Sequence, residues 1–189
     1  SEKLNLELVL LSRGGYSNNT IFSEFCSNVK KFDKGDIVII EWTYVERFRL
    51  SRNNVFQDMI IHNVNDDNSY FGGNQVLECI FNNRTEPKWT EEIYDFENII
   101  DELCELKGIN IFYWTVCDKI LKNRFRYKRN LKKYLVPESD KGMLNFLTRK
   151  YGAETIAMET NQLIPDEHYG EKGHQIIFEK FYEDIITKL

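Results

Sequence analysis

The chain has few of the residues that build redox or metal chemistry. It holds four cysteines and three histidines in 189 residues. Cys26, Cys79, Cys104 and Cys117 are widely spaced and make no CxxC pair, which disfavours a structural zinc site. Cys104 lies in a helical pattern and Cys117 ends an apolar run, so both are expected as buried, reduced thiols. That usage points to a reducing, cytoplasmic setting. No run of about 18 apolar residues is present, which excludes a membrane-spanning helix of the usual kind. The opening residues, SEKLNLELVLL, have neither the basic start nor the small-residue cleavage site of a signal peptide. Internal repeats and low-complexity segments are also absent.

What is present is an ordinary balance for a single domain over residues 1–189, with 42% apolar and 29% charged residues. The net charge of −5 conceals one basic block. Lys122 to Lys133, KNRFRYKRNLKK, carries seven basic residues and no acidic one, leaving 18 basic against 30 acidic elsewhere. Such a block can contact a polyanion, although in an otherwise acidic chain a solvated face is the simpler expectation. Nucleic acid is therefore not the expected partner. Oligomeric state leaves no mark in the sequence.

Three nearly continuous apolar runs have the length and turn boundaries of strands buried on both faces. They are Leu6 to Leu11, Asp36 to Thr43 behind the turn Asp33-Lys34-Gly35, and Ile109 to Cys117 behind Gly108. Glu154 to Thr160 is a weaker fourth. Helical spacing between them puts Ile21, Phe22, Phe25 and Val29 on one stripe of residues 18–30. A second helix, with Thr90 as N-cap, is predicted to run to Lys107 with Ile93, Phe96, Ile100, Leu103 and Leu106 inward. A third starts at Ser139 or Asp140 and ends at Gly152. The last spans 171–188 and buries Ile176, Ile177, Phe181, Ile185 and Ile186. Strands alternating with helices predict an α/β sandwich with right-handed crossovers. Residues 45–88, rich in Asn, Asp, Arg and aromatics, break the rhythm as an irregular excursion with some helix.

Ligands of open α/β sheets bind outside the carboxyl ends of the strands. Three segments are expected there: RGGYSNN after the first strand, EWTYVERF after the second, and the loop PDEHYGEKGH after the last. Gly14 and Gly15 allow close backbone approach, and Ser17 and Asn18 open a helix, an arrangement suited equally to an oxyanion and to a capped tight turn. Thr43 can donate a hydrogen bond and Arg47 can hold an anionic or sugar group. Asp166, two residues before His168, can orient its imidazole and stabilise the imidazolium. A metal site would need a third ligand, since His168 and His174 lie six apart and His62 is remote.

Taken in order, RGGYSNN, DIVIIEWT and PDEHYGEKGHQ resemble the SGNH/GDSL hydrolase superfamily. The resemblance implies a three-layer α/β/α sandwich around a mainly parallel, flavodoxin-like sheet. It implies Asp166 and His168 as two members of a Ser-His-Asp triad, and Gly15, or Gly14, as an oxyanion donor. The sequence GEKGH, Gly170 to His174, is similar to a frequent continuation of the last block. The family's first block, which carries the nucleophilic serine, would precede Ser1. Within the chain the candidate nucleophiles are Ser17 and then Ser12, although the family's geometry does not put the nucleophile there. Where the family often carries a GxND asparagine, this chain reads Glu41-Trp42-Thr43-Tyr44. The implied activity is hydrolysis of an ester, an O-acyl group on a carbohydrate or similar polar substrate, with Trp42, Tyr44 and Arg47 facing the sugar. No metal or organic cofactor is implied. A non-catalytic relative that binds or assembles is the competing expectation, and polyanion binding through Lys122–Lys133 a third.

Overall fold

Gly35 and Gly108 set the two turns from which the parallel strands start. Both have positive φ, 92° and 69°, a region that L side chains avoid. The Gly35 N–H donates to the Gly108 carbonyl at 2.9 Å, and Asn110 N–H donates to the Asp36 carbonyl at 2.8 Å. Strands β1 (Ile37–Trp42) and β4 (Asn110–Thr115) then run side by side, Ile37 opposite Asn110 and Trp42 opposite Thr115. The computed structural model describes residues 7–11, 16–44, 47–52, 55–60, 86–117, 120, 131–135, 143–152, 156–158 and 165–189.

The other elements, in chain order, begin with helix α1 (Asn18–Asn28), which precedes β1. Between β1 and β4 come the strands β2 (Arg47–Arg52) and β3 (Val55–Ile60) and helix α2 (Glu86–Lys107). After β4 follow α3 (Met143–Tyr151), the strands β5 (Ile156–Met158) and β6 (Pro165–Tyr169), and α4 (Glu171–Lys188). The class is α/β. Of the three two-stranded ladders among the described residues, β1–β4 is parallel, while β2–β3 and β5–β6 are antiparallel.

Side-chain alternation along β1 and β4 divides the core in two. Ile40, Trp42, Ile111 and Tyr113 pack with Phe25 of α1 and Ile93, Ile100 and Cys104 of α2. Phe112 packs with Met143, Phe146 and Leu147 of α3 and with Ile177 and Ile185 of α4, joined by Ile37 and Trp114. Apolar positions of the two strands are therefore used on both sides. That is why their sequences read as continuous apolar runs rather than alternating ones.

Several expectations change. Residues 7–11 form no strand, and Leu8, Val9 and Leu10 are each about two-thirds exposed or more (69%, 66% and 76%). Apolar character makes a strand only where a neighbour pairs with it, and no described strand does. The second helix starts at Glu86 rather than after Thr90, which is fully buried inside it. Pro87 explains the earlier start, because proline suits a first helical turn. Leu106 is 84% exposed, since the buried stripe runs Ile93, Glu97, Ile100, Cys104 at helical spacing and Leu106 falls off it. Ile186 is exposed for the same reason, one position beyond the buried Ile185.

The excursion after β1 opens as an antiparallel hairpin, Arg52 opposite Val55, and residues 61–85 lie outside the described part. The β-favouring residues of the two strands supply the reason. Residues 165–169, read as a loop, are a strand that pairs antiparallel with β5, Tyr169 opposite Ile156. The weak fourth strand shortens to Ile156–Met158 and joins β6 rather than the parallel ladder. Gly152 closes α3 with φ 97°, as its place after Lys150 suggests, and the helix starts at Met143.

Candidate functional site

Helix α1 and the end of β1 are fastened together by one side chain. Asn18 Oδ1 accepts from the Thr43 N–H at 2.9 Å, and Asn18 Nδ2 donates to the Thr43 carbonyl at 3.3 Å and the Tyr44 carbonyl at 3.4 Å. The segment entering α1 and the segment leaving β1 thus meet, as the positions of RGGYSNN and EWT predict. Asn18 and Thr43 are both buried, and the clamp uses the Asn18 amide and the Thr43 backbone groups. Ser17 is the N-cap of α1. Its Oγ accepts from the Thr20 N–H at 3.3 Å and lies 3.0 Å from Thr20 Oγ1. The residue is fully buried, so the hydroxyl caps a helix and faces no solvent. Gly14, Gly15 and Ser12 lie outside the described residues.

Arg47 begins β2. Its N–H donates to the Tyr44 carbonyl at 3.1 Å, and its guanidinium carbon sits 5.9 Å from the centre of the Tyr44 ring, a cation–π contact. The Arg47 Nε is buried with no hydrogen-bond partner among the described residues. Burial raises the Glu41 carboxyl to about 7, and the nearby Arg47 opposes the rise. In register with Glu41 on the neighbouring strand stands Trp114.

The last block arrives at the same place through Tyr169. Its ring lies 6.2 Å from Trp114 and 5.7 Å, edge-on, from His174 in the first turns of α4. Burial pushes the Tyr169 hydroxyl far up, and Glu41 and then Tyr44 push the same way, so the three groups are electrostatic neighbours. The Tyr169 Oη is buried without a partner among the described residues. Gly170 caps α4, and the His174 N–H donates to the Gly170 carbonyl at 2.9 Å. Asp166 and His168 stand two apart on β6, positions that share a face of the strand; their side chains lie outside the described part.

No family model, curated protein or solved structure matches this chain. The site is therefore read from its own chemistry. Among the described residues there is no group of three metal-ligating side chains. None of the helices among the described residues is long and apolar enough to cross a membrane. The block Lys122–Lys133 falls almost wholly outside the described residues; within it Lys133 pairs with Asp101 of α2 at 3.0 Å.

Sequence reasoning misplaced one aromatic and overlooked three groups. Trp42 is completely buried, and its Nε1 donates to Glu97 Oε1 at 2.9 Å, so it belongs to the core and not to a sugar-facing surface. Glu41, Trp114 and Tyr169 gather at the strand ends instead. A carboxylate one residue before the end of an apolar strand was a usable signal. Trp114 and Tyr169 gave none, because their meeting depends on how β6 and α4 fold back.

Proposed function

We propose that the chain is an SGNH-like hydrolase domain that cleaves an ester, an O-acyl group on a carbohydrate or a similar polar substrate. The carrying observation is convergence. Helix α1 through Asn18, the end of β1 through Thr43, and the end of β6 through Tyr169 all reach the carboxyl-end side of the parallel pair, in the order the superfamily uses. In this reading β6 delivers Asp166 and His168 to that edge. His168 takes the proton of the attacking serine and returns it to the leaving alcohol, and Asp166 steadies the imidazolium in between. The serine comes from the GDS-like block that the resemblance puts before Ser1. A backbone N–H of Gly15, or Gly14, stabilises the tetrahedral oxyanion. The two-sided use of β1 and β4 supports a three-layer α/β/α sandwich with a flavodoxin-like sheet.

A second reading, a non-catalytic relative that binds or assembles, draws support from Ser17. That serine, on the expected crevice loop, is a buried cap rather than an exposed nucleophile. One assay separates the two. The protein carrying its preceding block is given p-nitrophenyl acetate beside its His168→Ala variant. A loss of turnover of several orders of magnitude in the variant supports the hydrolase. Equal turnover, or none by either, removes it.

A further inference from the structure

The parallel pair has an open edge. Along a strand in a parallel ladder, alternate residues turn both backbone groups to the same neighbour. Asp36 faces β4, because its carbonyl accepts from the Asn110 N–H at 2.8 Å. Trp42 faces it too, since its carbonyl accepts from Thr115 Oγ1 at 2.9 Å. Ile37, Ile39 and Glu41 therefore turn their N–H and carbonyl groups to the opposite edge. Among the described residues β1 pairs with β4 alone, and Ile39 is 43% exposed. Thr43, next on that edge, is already served: the Asn18 amide accepts from its N–H and donates to its carbonyl. Those are the two bonds that a neighbouring strand makes. One side-chain amide thus stands in for a strand at Thr43, while the edge along residues 37–41 has no such partner among the described residues.

The complementary half is in the same chain. Residues 7–11 have the apolar composition of a strand and match residues 37–41 in length. They belong to no ladder, and Leu8, Val9 and Leu10 are 69%, 66% and 76% exposed. An open strand edge is a template for pairing, and a run of exposed apolar residues marks a contact surface.

We propose that the outer edge of β1 is a strand-accepting interface whose occupant is residues 7–11 of a second copy of this chain. The exposed run becomes a strand there, bonding to the N–H and carbonyl groups of Ile37, Ile39 and Glu41. Each copy carries one donor segment and one acceptor edge. A reciprocal exchange therefore uses both and closes a two-fold dimer. The inference does not depend on the hydrolase reading.

Sedimentation equilibrium of the full chain over a wide range of concentration tests it, and a reversible dimer is expected. Ile39→Lys puts a charge on the acceptor edge. Val9→Pro and Leu10→Pro remove adjacent N–H groups that point to opposite sides of a strand, so one of the two removes a bond to β1. Ile39→Lys and one of the proline variants should each weaken dimerisation by about tenfold or more, as for one or two lost hydrogen bonds. The proline variants lie outside every described helix and strand, and they decide alone if circular dichroism shows Ile39→Lys unfolded. Hydrogen exchange gives a second readout. In dilute solution the Ile39 and Glu41 amides should exchange far faster than those of Val38 and Ile40, and dimerisation should slow them. A monomer at every concentration overturns the proposal, as does a dimer that folded Ile39→Lys or both proline variants leave intact. Ile39 and Glu41 amides already protected in the monomer also overturn it, because a segment of the same chain then holds the edge.

Discussion

Asn18 grips Thr43 from both sides of one residue, accepting from its N–H at 2.9 Å and donating to its carbonyl at 3.3 Å. A single amide side chain thereby completes the backbone hydrogen bonding of a strand end and fixes the start of a helix against it. Asn18→Ala leaves the buried Thr43 N–H without its acceptor, at a cost of roughly 1–3 kcal/mol. Denaturant unfolding should show a lower midpoint with unchanged slope. Asn18→Asp keeps the acceptor and loses the donor, and should fall between the two.

Ser17 separates capping from catalysis. Its Oγ serves Thr20 at the start of α1, so Ser17→Ala should cost about 1 kcal/mol in thermal unfolding. In the proposed hydrolase, ester turnover should change by no more than a small factor. A loss of several orders of magnitude in a folded variant would instead make Ser17 the nucleophile.

Glu97 is the buried junction of the first core cluster. It accepts from Trp42 Nε1, its other bond in that network comes from the Tyr134 hydroxyl, and its backbone carbonyl accepts from Tyr113 Oη at 3.4 Å. Glu97→Ala removes the carboxylate that accepts from Trp42 Nε1 and from the Tyr134 hydroxyl, at roughly 1–3 kcal/mol for each bond lost. Glu97→Gln retains an acceptor oxygen and should be milder. Tryptophan fluorescence during unfolding follows the loss directly, because Trp42 reports on the site.

Glu41 should make stability depend on pH. Its folded value, about 7, lies above the ordinary 4.5 of an unfolded glutamate, so the folded state holds the proton more tightly. This contribution is complete below about 4.5, is lost as pH rises through 7, and is constant above. The Glu41→Gln variant should therefore gain in melting temperature over wild type between pH 5 and pH 8, with no further gain at higher pH. A difference that does not change over this range would deny Glu41 the raised value.

Cys104 is buried beside Asp101, and burial first, then that carboxylate, raises its thiol to about 11. Cys26 is exposed. A thiol reagent at pH 8 should modify Cys26 well before Cys104 in the native protein. Equal rates on the two would mean that the α2 face opens readily.

The sequence made the central strands and the long helices legible for a plain reason. Ile37–Trp42 and Asn110–Thr115 pack side chains into a core on each face, so most positions are apolar and the run stands out against the polar background. Gly35 and Gly108 marked their starts because a positive φ all but requires glycine. Misreadings came where a neighbour decides. Leu8 to Leu11 has a strand's composition without a described strand beside it, and Pro165–Tyr169 has a loop's composition but pairs with β5. Strand pairing depends on a partner distant in sequence, which local pattern does not encode.

By itself, the sequence determined the α/β class, the places of α1, β1, β4 and α4, and the expectation that chemistry gathers where those strands end. Periodicity and glycine punctuation are local consequences of backbone geometry, and they survive without knowledge of contacts. Only the tertiary structure decided which polar residues are spent on holding the fold and which are left to face a ligand. It committed Ser17, Asn18 and Trp42 to capping, clamping and core, and it left Arg47 Nε and Tyr169 Oη buried without a partner among the described residues. That division turns on burial and on partners tens of residues away, and neither is written at any one position of the chain.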